Sequence, residues 1–405
     1  MNVSVHPHRA GASAQSAPPR GPSLPAFAAG LLAAFVGFAS SFAVVIAGLR
    51  GVGASQAEAA SGLMALSVSM GLCAIVLSFR TRMPVSIAWS TPGAALLATT
   101  STIDGGFAAA VGAFIVTAVL ILIAGLWKPL GRAVSAIPAA LANAMLAGVL
   151  LGLCLAPVRA VGAMPLQALA IVITWAVMAR LNRLYAVPAA LLVTIALVVT
   201  TTTVPDLAAA DLAPAAVFIV PDFSLEALIG IALPLFIVTM ASQNIPGLAV
   251  LNANGYRPDP GPLLTTTGIF SLLSAPFGGH AVNLAAITAA ICAGRDADPD
   301  ERRRYWAAVI AGAVYVILGL CAAAATAFLA ASPPVLIEAV AGLALLGAFG
   351  SAMMAAMQDA RARDAAVITF LVTASGISIG GISGAFWGLV AGGAVYALDR
   401  FRRSV

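Results

Sequence analysis

Charge is scarce in this sequence. Its 405 residues carry 20 Lys and Arg against 15 Asp and Glu, so only 9% are charged, where a soluble domain carries about a quarter. With 61% hydrophobic residues and a mean hydropathy of +1.03, this excludes an ordinary soluble fold and specifies an integral membrane protein in a lipid bilayer. Cysteine is equally sparse. Cys73, Cys154, Cys292 and Cys321 each fall inside an apolar run and none has metal-ligand spacing, so no disulfide and no metal site is expected. There is no HExxH pair, no nucleophile elbow and no pair of acids within one span. A membrane-embedded enzyme is therefore not expected, nor is a cofactor. The net charge of +5 is not gathered into basic patches interleaved with aromatics, so nucleic acid is not a partner.

What the chain has instead is a series of long apolar runs. Residues 1–24, rich in Pro, Ala and Ser and carrying His6 and His8, read as a disordered cytoplasmic arm. The run from Pro25 to Leu49 is too long for a signal-peptide core and is the first span. Seven runs lie near 25–49, 55–79, 84–100, 107–127, 134–156, 164–180 and 186–203, before a polar break with Asp206, Asp211 and Asp222. Seven more lie near 225–251, 262–277, 280–294, 304–331, 335–357, 364–379 and 383–399. The fold class is thus an all-α polytopic membrane protein of fourteen transmembrane segments.

The halves resemble each other at an offset of about 200 residues. Gly30–Ser40 faces Gly230–Ser242, Pro84–Ile87 faces His280–Asn283, and the run from Leu141 answers that from Val340. A repeat of seven spans enters the membrane in opposite senses, so the repeat is inverted. With the N-terminus inside and fourteen crossings, Arg80/Arg82, Lys128/Arg132, Arg180/Arg183 and Arg257 all fall inside. So do Arg295 with Arg302–Arg304, Arg361/Arg363 and Arg400/Arg402/Arg403, leaving only Arg50 and Arg159 outside. Both termini are therefore expected in the cytoplasm.

Two segments are poor membrane helices. The third begins Pro84-Val85-Ser86-Ile87-Ala88-Trp89-Ser90, with Thr91 before Pro92 fitting an N-cap; it reads as an extended stretch followed by a half-helix. The tenth, His280 to Gly294, would rise only about 22 Å as a helix, and an extended start makes up the shortfall. In an inverted pair the two half-helix N-termini meet near the midplane and form an anion site without Arg or Lys. Its expected lining is Ser86, Trp89, Ser90 and Thr91 from one segment, and His280 and Asn283 from the other. Between them lies the stretch Ser242-Gln243-Asn244-Ile245-Pro246-Gly247 of the eighth run. Amides beside a helix-breaking Pro-Gly at membrane depth point to a cavity, with Ser242, Gln243, Asn244 and Pro246 in contact with a ligand; the alternative is interhelical glue. Trp89, Ile87, Leu284 and Ile245 offer an apolar slot for a flat molecule.

The motifs SQNIPGLAVLNANGY from Ser242 and FGGHAVNLAAITAAICAG from Phe277 resemble the benzoate:proton symporter family (BenE type), which is related to nucleobase/ascorbate transporters. The resemblance implies a 7+7 inverted repeat in which a core domain (25–128 and 222–332) moves against a gate domain (129–205 and 333–403). It also implies an aromatic carboxylate as substrate, protons as co-substrate and the bacterial inner membrane as location. Where nucleobase symporters of this fold carry acids in segments 8 and 10, this chain has Gln243/Asn244 and His280/Asn283, which suits an anionic substrate. The proton carrier then falls to His280 or Glu338, while Glu58 sits in a first helical turn. Other readings are a nucleobase or other small-anion transporter, or an anion channel. A homodimer is left open. The topology has a direct test: Cys placed at Ala208 in a Cys-free background is expected to react with an impermeant thiol reagent from outside. Labelling only after the membrane is disrupted would refute fourteen crossings.

Overall fold

The computed structural model describes residues 21–100, 104–127, 129, 138–201, 213–285, 287–379 and 382–404. The arm with His6 and His8, Lys128, Arg132, Asp206, Ala208 and Asp211 lie outside them, as do the side chains of Arg400, Arg402 and Arg403. Ser23 opens the first helix, Leu24–Ala39 (α1), its hydroxyl accepting the Ala26 N–H with Pro25 in the first turn. After a break at Ser40 and Ser41 the same span continues as Phe42–Gly51 (α2). Gln56–Thr81 (α3) starts with a reciprocal capping box between Ser55 and Glu58, which makes Glu58 a helix cap rather than an acid inside the span.

The third run becomes a short strand, Ile87–Trp89 (β1), and a nine-residue helix, Thr91–Thr99 (α4). The cap is one residue earlier than expected: Ser90, not Thr91, accepts the Gly93 N–H at 3.2 Å. Then come Gly106–Leu126 (α5), Ala139–Cys154 (α6), Ala156–Ala163 (α7), Pro165–Leu181 (α8) and Ala186–Thr201 (α9). The second half opens with Leu225–Ala253 (α10) and Pro260–Ser274 (α11). The tenth run repeats the design of the third, with strand Val282–Leu284 (β2) before helix Ile287–Ala293 (α12). Tyr305–Leu320 (α13) and Ala322–Ala331 (α14) meet at a 55° bend. Pro334–Gln358 (α15) and Arg363–Ala374 (α16) lead to a small hairpin, Ser378–Ile379 (β3) with Ile382–Ser383 (β4), and Gly384–Ser404 (α17). Among the described residues seven helices are long and apolar enough to cross a membrane, or eight if α13 and α14 count as one span. The protein is a mostly helical polytopic membrane protein.

The helix expected to break at Pro246-Gly247 does not break. α10 runs through, absorbing each of its prolines with a π-turn just before it: Leu228–Ala232 precedes Pro234, and Met240–Asn244 precedes Pro246. In the second turn the Ile245 N–H reaches back five residues to the Met240 carbonyl. The wider turn gives the proline ring room and shifts the hydrogen-bond register, so the missing N–H is accommodated without ending the helix.

Packing follows small residues. α3 lies against α13 where Gly71 meets Gly312; a Cβ at Gly312 would stand 2.5 Å from the Gly71 carbonyl oxygen. α5 lies against α11 in the same manner, Gly125 over Gly261. Without a hydrophobic force between helices in lipid, such close backbone approach supplies the dispersion contact. α1 also packs on α13 and α2 on α4. A second group joins α6 to α15 and α16, α8 to α9, and α16 to α17.

Candidate functional site at the paired half-helices

The third and tenth segments meet through an antiparallel ladder, with Ile87 opposite Leu284, Ala88 opposite Asn283 and Trp89 opposite Val282. The Ser90 N–H donates to the Ala281 carbonyl and the Ala285 N–H to the Ser86 carbonyl, adding one bond at each end. Such a two-stranded sheet has edges, and an unpaired edge in hydrocarbon is prohibitive. The outer edge of β2 is closed by side chains. Val282 N–H donates to Ser271 Oγ of α11 at 2.8 Å, Leu284 N–H to Asn244 Oδ1 of α10 at 3.0 Å, and Asn283 Nδ2 to the Leu284 carbonyl at 2.9 Å.

The ten residues expected at the site therefore divide. Ser86, Trp89, Ser90, Asn244, His280 and Asn283 are buried. The Ser86 hydroxyl is hydrogen-bonded to that of Thr288 at 2.7 Å. Trp89 packs on Phe38 and donates its indole N–H to Ser41 Oγ at 2.9 Å, so it is a packed anchor rather than an open wall. Ile87 and Leu284 are buried with it, and of the expected apolar slot Ile245 alone is exposed. Asn244, fully buried, holds the ladder; here the glue alternative describes its contacts. Thr91, Ser242, Gln243 and Pro246 are half-buried. The second π-turn of α10, which carries Ser242 and Gln243, packs against α6.

α4 is tied to α10 by Thr239, whose hydroxyl donates to Ser90 Oγ at 2.8 Å, one turn before Gln243. Within the first turn of α4, Ser90 takes the Gly93 and Ala94 N–H groups and Pro92 has none. The Thr91 N–H is left as the amide that a ligand can receive. His280 turns the other way. Its ring stands edge-on to Phe114 of α5, Nδ1 accepts the Ala281 N–H, and Nε2 is buried without a partner, as is Asn283 Oδ1. Glu338 is exposed on the first turns of α15. Thr239, Ser271, Thr288 and Ser41 were missed as partners. In the sequence each is no more than a hydroxyl within an apolar run. Gly376-Ile377-Ser378-Ile379-Gly380 also spells GxSxG. Ser378 lies in the β3–β4 hairpin, not on a strand-to-helix turn, so it is not a nucleophile elbow.

Residues 21–398 match the family model described as "Benzoate membrane transport protein" (BenE). The chain belongs to the BenE family. BenE relatives include inner membrane protein YdcO of Escherichia coli (strain K12), 41% identical over 92% of this chain and 95% of that one. The benzoate membrane transport protein of Acinetobacter baylyi is 32% identical with the same coverage of both chains. Among solved structures, the transmembrane domain of the cyanobacterial bicarbonate transporter BicA superposes with a TM-score of 0.58 at 17% identity, covering 93% of this chain and 95% of that one. SLC26A9 gives 0.63 at 12% identity, covering 94% of this chain and 65% of that longer one. The fold is the one these transporters share. This BenE protein is accordingly a membrane transporter and not an enzyme.

Asn244 and Gln243, adjacent in sequence, are expected to fail differently. Asn244→Ala leaves the buried Leu284 N–H without its acceptor, a loss of about 1–3 kcal/mol, and lowers the melting temperature in detergent. Gln243→Ala keeps the melting temperature and weakens ligand binding roughly tenfold or more. Equal melting temperatures for the two variants would show that Asn244 does not hold the ladder.

Proposed function

We propose that this transporter couples proton entry to the uptake of benzoate or a similar aromatic carboxylate across the bacterial inner membrane. The observation that carries this reading is the Ser90–Thr239 bond, which ties the start of the half-helix, where Thr91 is half-buried, to α10 one turn before the half-buried Gln243. The carboxylate receives the Thr91 N–H and the Gln243 amide, and neither 86–99 nor 228–253 carries an acid to repel it. The ring lies against α6, which packs on the π-turn that carries Gln243. The Acinetobacter relative named for benzoate supports the substrate class.

Fourteen crossings with both termini cytoplasmic and a 7+7 inverted repeat go with this reading. The packing supports the repeat because helix contacts come in matching couples. The second run touches the eleventh as the ninth touches the fourth; the sixth touches the seventh as the thirteenth touches the fourteenth. The antiparallel ladder, centred on Ala88 and Asn283, is the pairing that inverted third and tenth segments make. Core (25–128, 222–332) and gate (129–205, 333–403) then correspond to the two packing groups, and substrate moves as they shift past each other. His280 carries the proton: it is buried two residues before β2, and with Nδ1 taking the Ala281 N–H the neutral ring keeps its hydrogen on the unpartnered Nε2, so the added proton enters at Nδ1 as that bond opens; Glu338 is too exposed to be occluded with substrate.

In proteoliposomes with an inward proton gradient, labelled benzoate is expected to accumulate and to stop accumulating when a protonophore is added. Burying the ring contributes about 1.5–3 kcal/mol, so benzoate analogues compete roughly ten- to a hundred-fold better than acetate; benzamide, lacking the charge, competes poorly. Competition by uracil with none by benzoate analogues would assign the site to nucleobases. His280→Gln is expected to abolish gradient-driven accumulation while retaining benzoate counterflow. Accumulation at the parent level would place the proton elsewhere.

A further inference from the structure

Pro234 creates a second vacancy in α10, and a residue from the far end of the chain fills it. A proline at 234 has no N–H for the carbonyl four residues earlier, which is Gly230 O. The π-turn before it spans Leu228–Ala232 and ends with the Leu233 N–H on Leu228 O. Gly230 O instead accepts the hydroxyl of Ser383 at 3.2 Å. Ser383 is buried and sits on β4 of the hairpin that joins α16 to α17. That hairpin starts after Gly376, whose φ of +67° suits glycine, and is braced on its own side by the Trp387 indole N–H, which donates to Ile379 O at 3.3 Å.

The same hairpin closes a small cavity of about 80 Å³. Its walls come from both packing groups: Leu96 and Thr99 of α4 on one side, Val149 of α6, Thr373 of α16 and Ser383 on the other. We propose that the Ser383–Gly230 hydrogen bond is an outer latch. It fastens the gate hairpin to the core helix α10 and holds the passage between α4 and α6 shut from the periplasmic side. The inference rests on the core-and-gate reading and on the proposed topology, in which α16 runs outward from Arg361/Arg363 and α10 inward from the 206–222 loop. Both partners then lie in the outer half of the membrane. A carrier that alternates access must break one set of core–gate contacts for each set it makes. Among the described residues this is the side chain-to-backbone bond that joins the β3–β4 hairpin to α10. Residue 234, being proline, cannot donate to that acceptor, so the latch opens without competing with an N–H from position 234.

The test is outside access to the cavity wall, measured without any substrate. Val149, buried in that wall, is replaced by Cys in a background free of the native cysteines, and labelling by an impermeant thiol reagent is timed in whole cells. Ser383→Ala is expected to speed labelling roughly two- to tenfold, the shift one neutral hydrogen bond commands. Pro234→Ala gives residue 234 an N–H able to reach Gly230 O, so it competes with Ser383 and speeds labelling too. The double variant should be no faster than the faster single one, because both act on one bond. Unchanged labelling in Ser383→Ala overturns the latch, as do effects of the two substitutions that multiply. Neither outcome depends on which solute is carried, so failure of benzoate uptake leaves this result intact and failure here leaves the substrate intact.

Discussion

Six residues, Ile87–Trp89 and Val282–Leu284, impose the constraint on which this structure depends. Extended backbone in the middle of a membrane has donors and acceptors that neither water nor lipid can satisfy. Pairing the strands with each other settles the inner edges. Ser271 and the Asn244 and Asn283 amides then settle the outer edge of β2, and Ser90 settles the turn into α4. Much of the polarity buried here is committed to holding two short strands, and what remains free marks where something else can bind.

The prolines of α10 follow the same logic by a different route. Each removes a donor, and each is preceded by a turn of five residues that lets the helix widen instead of ending. Helix continuity carries Thr239 and, one turn later, Gln243 and Asn244 on a single rod. Thr239 fastens the third segment, Asn244 fastens the tenth, and Gln243 between them is left half-buried.

Much of this was legible in the sequence. The short third and tenth runs, with Pro84–Ser90 too strand-like and His280–Gly294 too short, led directly to the extended stretches before α4 and α12. Composition and hydropathy gave the membrane class for the simple reason that charge cannot be afforded in hydrocarbon. What could not be read was direction. Asn244 and Gln243 are neighbours of similar chemistry, yet one points at a backbone N–H and the other does not, and that depends on a strand 40 residues away. Trp89 looked like a wall because nothing in the sequence says that Ser41 waits for its indole. The continuation of α10 past Pro246 was hidden as well, since a π-turn leaves no residue signature beyond the proline it accommodates.

The ladder also has a consequence for biogenesis. Ile87 and Leu284 stand opposite each other in the ladder but are made far apart in time. At roughly 5–20 residues per second, β1 leaves the ribosome about 10–40 seconds before its partner strand exists. During that interval the third segment has unsatisfied backbone and is too short in its helical part to cross the membrane alone. It must wait beside the insertion machinery, in water, or against the first four segments without its final pairing. The second half of the chain is therefore a condition for inserting part of the first, and truncation after α9 would leave an early segment, not only a late one, without its place.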